Sequence, residues 1–382
     1  MNPKSIACNE ALIGQPGSRW RIDTPALVLD LEVLEQNLAT MAALARERGV
    51  GLRPHAKTHK SVEIGRRQLD AGAVGLCCAK LGEAEVLAKA GLDHLLLTAP
   101  VIAEPKIARL IELNATLSDL MVVVDDANNA SVLADAAAGA GQTLSVLIVV
   151  DVGSHRFGVV RPEDAVAIAR LIADRPSLRL RGIQGYAGYV QHMPDYQERR
   201  RASHEALGVL GKVRDALVEA GFACEIVTGS GTGTHDFDHE PGLMTDLQVG
   251  SYIFMDVDYD RIEQTEDGSR RFENALFVHT AVVSANHPGF VTTDAGSKSF
   301  SMDGPAPRIF SGAPEGSTYG RFGDEFGRVD LPSPEPRLGR GDLIVCVVPH
   351  CDPTLNLHDH YHGVRGDTLV ALWPIDARGC AG

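Results

Sequence analysis

Between Val50 and Gly250 the chain carries eight short apolar runs separated by stretches whose apolar residues recur at helical spacing. The runs are Val50–His55, Ala73–Ala79, His94–Thr98, Leu120–Asp125, Leu144–Asp151, Leu180–Tyr186, Ala223–Gly229 and a short one at Asp246–Gly250. Helical patterns fill the gaps, for example over Glu83–Ala90, Pro105–Leu113, Glu163–Ala173 and Arg199–Ala220. Eight strands alternating with helices fit an α/β fold of the closed (β/α)8 TIM-barrel type better than an open doubly wound sheet. Periodicity alone does not decide whether the sheet closes.

The texture changes after Tyr259. Ala275–Ser284, Gly289–Asp294, Leu343–Val348 and Asp367–Trp373 read as strands between Gly- and Pro-rich turns, with little helical periodicity. Upstream, residues 1–23 form a polar lead-in. Pro25–Asp30 is a short apolar strand able to pair with the C-terminal strands. Leu31, Leu34, Leu38, Met41 and Ala45 then mark one face of a helix. The expected division is a barrel over 26–258 and a β-rich domain over 259–382, joined by the N-terminal segment 1–25.

Composition narrows the partners. With 36 basic against 50 acidic residues in 382, the net charge of −14 argues against a general nucleic-acid or anionic-membrane binder. No segment approaches the ~18 apolar residues of a membrane span. The N-terminus has no run suited to a signal peptide. Seven cysteines without a CxxC pair suggest a reducing, cytoplasmic setting rather than a disulfide framework.

Barrel chemistry gathers where strands end, and suggestive residues fall there. After the first strand comes Arg53-Pro-His55-Ala-Lys57-Thr-His59-Lys60. A lysine beside cations, or desolvated, is more often the neutral amine that condenses with an aldehyde. Read alone, the same run is a solvated basic loop. Asp151-Val-Gly-Ser-His-Arg156 follows the fifth strand, Tyr186 and His192 the sixth, Thr228-Gly-Ser-Gly-Thr232-Gly the seventh, and Gly250-Ser251 the eighth. Glycine-rich turns after the last two strands suit a phosphate, with Thr232 and Ser251 adding hydroxyl donors; a lone GSGTG is equally a tight turn. Aldehyde-ready lysine and phosphate cradle together suggest pyridoxal 5′-phosphate (PLP).

A second constellation is His350-Cys-Asp352-Pro-Thr, followed by His358, Asp359, His360 and His362. In an extended segment His350 and Asp352 share a face, making a nitrogen/oxygen pair suited to Mn2+ or Mg2+ with open positions. The alternative is a set of histidines that cap turns. The Cys77-Cys78 pair reads as core. Asp256-Val-Asp258-Tyr259 reads as a solvated turn or a metal site, and Asp294-Ala-Gly-Ser-Lys298 as a pocket edge or a strand corner.

Along nearly its whole length the chain resembles the D-threonine aldolase / D-serine dehydratase-like group of PLP enzymes, of alanine racemase-like fold (fold type III). The resemblance is carried by Arg53-Pro-His-Ala-Lys57, Thr228-Gly-Ser-Gly-Thr-Gly233, Gln248-Val-Gly-Ser-Tyr252, Phe254-Met-Asp256 and His350-Cys-Asp-Pro-Thr354. It implies that Lys57 holds PLP through an imine, and that Thr232, Gly250 and Ser251 bind its phosphate. Tyr186 and Arg156 would lie against or near the ring, His350 and Asp352 would carry a divalent metal, and His192 would serve as acid/base. The implied activity is retro-aldol cleavage of D-β-hydroxy-α-amino acids to glycine and an aldehyde, by a homodimer. The rivals are a D-serine or 3-hydroxyaspartate dehydratase, a racemase, and a non-catalytic PLP-binding protein. The related dehydratases tend to carry Cys where this chain has Asp352. Two departures stand out: Ala79 replaces a common Gln, and Asp324-Glu-Phe326-Gly replaces Asp-Glu-His-Gly.

Overall fold

The computed structural model describes residues 3–333, 335 and 338–382, which divide into two units. One unit holds residues 40–250, 262–270 and 379–382; the other holds 1–39, 251–261 and 271–378. This grouping differs from a division into 26–258 and 259–382 chiefly in where residues 26–39 and 251–258 are placed. Residues 26–39 go with the β-rich unit because the strand Ala26–Asp30 pairs with strands of that unit, as the reading of Pro25–Asp30 allowed. Residues 251–258 go with it through Val257 N–H to Val348 O at 3.1 Å and Ala275 N–H to Phe254 O at 2.7 Å.

All eight expected barrel strands are present, all but the sixth in shorter form: Gly51–Leu52, Leu76–Cys78, Leu95–Leu97, Leu120–Val124, Leu144–Val150, Leu178–Gly185, Ile226–Gly229 and Asp246–Leu247. Each neighbouring pair is parallel, and the last strand returns to the first through Gly51↔Asp246 and Leu52↔Leu247. Between the first and second strands the ladder is thinner. Leu52 and Pro54 carbonyls accept the Val74 and Cys77 N–H groups at 2.8 Å each, and His55 bridges Cys77 in parallel. These bonds close the barrel. Its interior is filled by alternate residues of successive strands: Cys77, Leu96, Met121 with Val123, Leu147 with Val149, and Ile226. Cys77 and Cys78 are therefore core, fully buried.

The β-rich unit is built on a nine-stranded sheet. Ala26–Asp30 sits between Leu276–Ser284, antiparallel with Ala26 opposite His279, and His360–Arg365, parallel with Val28 opposite His362. The strands Arg308–Ser311, Thr318–Arg321, Gly327–Asp330 and His360–Arg365 are additional to those read from the sequence. The first three are short, four residues each; the last is largely buried but masked in the sequence by a run of histidines. Pro3–Glu10, within the expected lead-in, is a helix.

That helix is tied down through a buried imidazole. The Asn9 carboxamide oxygen accepts the Asp23 N–H, which turns its NH2 toward His362 Nε2 at 2.9 Å; the His362 Nδ1–H donates to Leu27 O at 3.0 Å. Both ring nitrogens are committed to the neutral tautomer. Burial holds the His362 pKa down to about 4 and that of fully buried His279 down to about 3. For histidines with depressed folded-state pKa, protonation favours the unfolded chain. Their contribution is intact above the ordinary imidazole range and is lost as pH falls toward 4 and 3. The melting temperature should therefore drop steadily between about pH 6.5 and 4, and His279→Leu should flatten that drop. An acid limb unchanged in His279→Leu would contradict the assignment.

Candidate active site

Lys57 sits half-buried on a 3-10 turn, Ala56–Thr58, at the C-terminal end of the first barrel strand. His55 caps this turn: its Nδ1 accepts the Lys57 N–H at 3.4 Å, so its Nε2 carries the proton toward Thr98 Oγ1, 3.2 Å away. The cations that the sequence offers as activators are each matched. Arg53 Nε lies 3.2 Å from Asp246 Oδ1, and Lys60 Nζ lies 3.3 Å from Glu83 Oε1, all four side chains buried. Arg53 and Lys60 are each paired with a carboxylate, so neither acts as an uncompensated charge beside Lys57. Asp246 also accepts from the Thr228 hydroxyl at 2.6 Å, locking the seventh and eighth strands to the first.

Gly250 closes over this turn. A Cβ there would lie 2.5 Å from Thr58 Oγ1, and that hydroxyl is buried with no hydrogen-bond partner among the described residues. An orphaned donor under a glycine is a cradle that lacks its acceptor. A phosphate oxygen satisfies it, so the residues present fit the phosphate end of PLP. Thr58 was not singled out from the sequence; its position one residue after the lysine was the available signal.

The glycine-rich loop after the seventh strand is both a turn and an interlock. Gly233 N–H donates to the Gln191 carboxamide oxygen at 2.9 Å, and Gly231 N–H to Thr234 Oγ1 at 3.3 Å. Gln191 Nε2 donates to Thr234 Oγ1 at 3.1 Å. A Cβ on Gly231 would meet Gln191 Oε1 at 2.4 Å, and one on Gly233 would meet the Gln191 carbonyl at 2.0 Å. These glycines are thus required by the neighbouring loop, and two of their N–H groups are used internally. Thr232 is buried within the loop, where Asp238, buried and raised in pKa by desolvation, accepts the Ser203 hydroxyl at 2.6 Å.

Tyr186 follows the sixth strand directly and is half-buried, its carbonyl held by the Ser154 hydroxyl at 2.9 Å. His192, immediately after Gln191, is exposed. Arg156 is exposed beside Phe157, with its guanidinium carbon 4.6 Å from the ring centroid.

In the β-rich unit, His350 and Asp352 do not lie on one extended face. The strand ends at Val347, His350 is the N-cap, and Asp352 is in the first turn of the short helix Cys351–Leu355. Pro353 at that helix start favours the turn over a continued strand. His350 Nδ1 donates to Asp303 Oδ2 at 2.9 Å, leaving Nε2 as the available lone pair. Burial disfavours the His350 imidazolium, but Asp352, Asp256 and Asp303 together outweigh it and raise its pKa. Asp256 is fully buried rather than a solvated turn residue. Its carboxylate accepts the Tyr259 and Cys351 N–H groups, each at 2.9 Å, and so anchors the turn that carries His350. Among the described residues no group of three or more His, Cys, Asp or Glu side chains forms a metal cluster. The donor chemistry fits a divalent ion held by one imidazole and one carboxylate, with open positions for water and substrate. Ser251, buried, opens a 3-10 turn in this unit. His358 bonds the Ser299 carbonyl at 3.0 Å and His362 is engaged as above. Asp294 clasps Thr24 and Thr280, at 2.6 and 2.7 Å, as a strand corner. Phe326 is exposed on a hairpin turn, and Ala79 donates its N–H to Glu83 at 2.8 Å.

The chain matches the alanine racemase N-terminal domain over residues 29–258 and the putative serine dehydratase domain over 275–364. It is 42% identical to a D-threonine aldolase of Arthrobacter sp. over 96% of this chain and 95% of that protein. Identity to a 3-hydroxy-D-aspartate aldolase of Paracoccus denitrificans is 39%, over 94% and 92%. The crystal structure of D-threonine aldolase from Filomicrobium marinum superposes with a TM-score of 0.90 at 39% identity, covering 95% and 97%. A D-threo-3-hydroxyaspartate dehydratase of Delftia sp. is more distant, 32% identical over 62% of each chain. The chain belongs to the alanine racemase-like fold-type III family, in the group that contains the D-threonine aldolases and D-serine dehydratases.

Gly233→Ala tests the interlock. Forcing a methyl against the Gln191 carbonyl should destabilise by roughly 1–3 kcal/mol, read as a lower melting temperature, with PLP occupancy reduced in parallel. Wild-type stability in this variant would show that the two loops are not interlocked.

Proposed function

We propose that the protein is a PLP- and divalent-metal-dependent lyase that cleaves D-β-hydroxy-α-amino acids into glycine and an aldehyde. The observation that carries this reading is the orphaned Thr58 hydroxyl beneath Gly250, next to Lys57, in a chain whose full-length relatives are named as aldolases. Bound PLP supplies an aldehyde for an amine and a ring that accepts the electron pair of a breaking bond, while the metal supplies Lewis acidity toward a hydroxyl.

Lys57 Nζ would provide the amine that holds the cofactor. Thr58, Thr232, Gly250 and Ser251 bind the phosphate, and Tyr186 and Arg156 fix the ring. His350 and Asp352 would hold a divalent ion, Mn2+ in preference and Mg2+ as a substitute, which would supply Lewis acidity toward a hydroxyl. His192 takes the β-hydroxyl proton as the Cα–Cβ bond breaks, and a proton returned to Cα completes glycine. Asp352 favours the aldolase over the dehydratase, whose leaving-group chemistry the related enzymes pair with a softer cysteine ligand. The substrate classes are D-threonine, phenylserine-type compounds and 3-hydroxy-D-aspartate. A cytoplasmic homodimer is part of the same reading.

The test is product analysis with D- and L-β-hydroxy amino acids, before EDTA, after EDTA and after added Mn2+. Glycine and aldehyde from the D-series, lost with EDTA and restored by Mn2+, is the expected result. Oxo acid and ammonia without aldehyde would make the protein a dehydratase, and no turnover of any substrate would make it a PLP carrier. Asp352→Ala should lose metal-dependent turnover while keeping the visible absorbance of bound PLP. Unaltered turnover in this variant would remove Asp352 from the metal site.

A further inference from the structure

Arg199 heads the largest fully buried side chains of the described protein, and the hydrogen bonds its guanidinium makes among the described residues go to main-chain oxygen rather than to carboxylates. Its location is costly for a positive charge on two counts, which the charges of Glu263, Asp195 and Asp236 offset only in part. It is cut off from water, and it stands in the first turn of the helix Tyr196–Glu219, where the backbone dipole favours negative charge. Desolvation accordingly pulls its pKa below the ordinary guanidinium value. What the guanidinium receives instead is main-chain carbonyl oxygen on all three nitrogens. Nε donates to Gly233 O at 2.7 Å, Nη1 to Met193 O and to Pro194 O at 3.1 Å, and Nη2 to Glu263 O. The rings of Tyr196 and Phe237 lie 5.7 and 5.9 Å from its central carbon.

These acceptors come from three separate segments. Met193 and Pro194 directly follow His192, and Gly233 directly follows Thr232. Only a fork with donors in one plane can reach all of them at once; an ammonium on the same stem cannot. The neighbouring Gln191 carboxamide makes a second tie between the same two loops, through Gly233 N–H and Thr234 Oγ1.

We infer that Arg199 is a positioning residue that fixes the loop bearing His192 to the loop bearing Thr232, so that the proton acceptor and the phosphate cradle are held as one rigid piece. The catalytic half of this inference rests on the proposed roles of His192 and Thr232; the mechanical half does not.

The experiment compares wild type, Arg199→Lys and Gln191→Met, each purified with PLP, by hydrogen exchange and by kinetics across pH. In Arg199→Lys, peptides covering 188–194 and 230–235 should exchange faster together, while the strands Leu95–Leu97 and Leu120–Val124 stay unchanged. The kcat should fall by about tenfold to a hundredfold, and the limb of its pH profile due to His192 should move. Uniformly faster exchange, or unchanged loops with unchanged kcat, overturns the inference. If Arg199→Lys does not fold, Gln191→Met decides: the same paired loosening supports the clamp, and its absence refutes it. A wild type that cleaves no β-hydroxy amino acid would defeat the functional reading, and paired exchange would still decide whether the clamp exists.

Discussion

Gly51 and Leu52 pair with Asp246 and Leu247 on one side, and on the other the carbonyls of Leu52 and Pro54 accept N–H groups from Val74 and Cys77. This thin seam closes the parallel sheet, and everything at the barrel mouth depends on it. The ladder continues past the regular strand, with His55 N–H bonding Val249 O at 2.9 Å. Lys57 is therefore delivered to the rim by backbone hydrogen bonds on both flanks. Beneath it, the buried Arg53–Asp246 pair and the Thr228 hydroxyl join three strand ends into one polar knot. A buried pair of this kind contributes less to net stability than to uniqueness of register, because both charges are lost from water and only one geometry satisfies them.

The loops of the rim are tied to each other as tightly as the strands. Gln191 and Arg199 bind the glycine-rich loop from the side of His192, so the glycines serve packing as well as any anion. In the β-rich unit, Asp256 plays the corresponding structural part, with a fully buried carboxylate holding the N–H of Cys351 and hence the turn between His350 and Asp352. Acidic residues around His350 make that turn electrostatically suited to a cation.

Much of the barrel was legible because its strands are buried on both faces and read as unbroken apolar runs, and because helices fill the intervals. Closure was not legible: it rests on main-chain bonds from Leu52 and Pro54 that leave no mark in side-chain pattern. The short strands Arg308–Ser311 and Thr318–Arg321 leave little mark in the sequence because they are largely exposed and lack a strong alternation. At the rim, Lys57, Gly250 and the GSGTG loop were visible as residue types at strand ends. Their partners were not. Asp303 lies 47 residues before His350, and the helix start at Cys351 overrode the extended reading of His350 and Asp352. Sequence proximity to Lys57 likewise carries no sign of the carboxylates of Asp246 and Glu83 that pair with Arg53 and Lys60.

The central claim is that one amine, Lys57 on its capped turn, is the group that bonds the cofactor. Borohydride reduction of the PLP-loaded protein followed by peptide mass mapping tests it directly. The account predicts a single phosphopyridoxyl adduct on the peptide containing Lys57. An adduct on Lys60, Lys80 or any other lysine, with Lys57 unmodified, would contradict it.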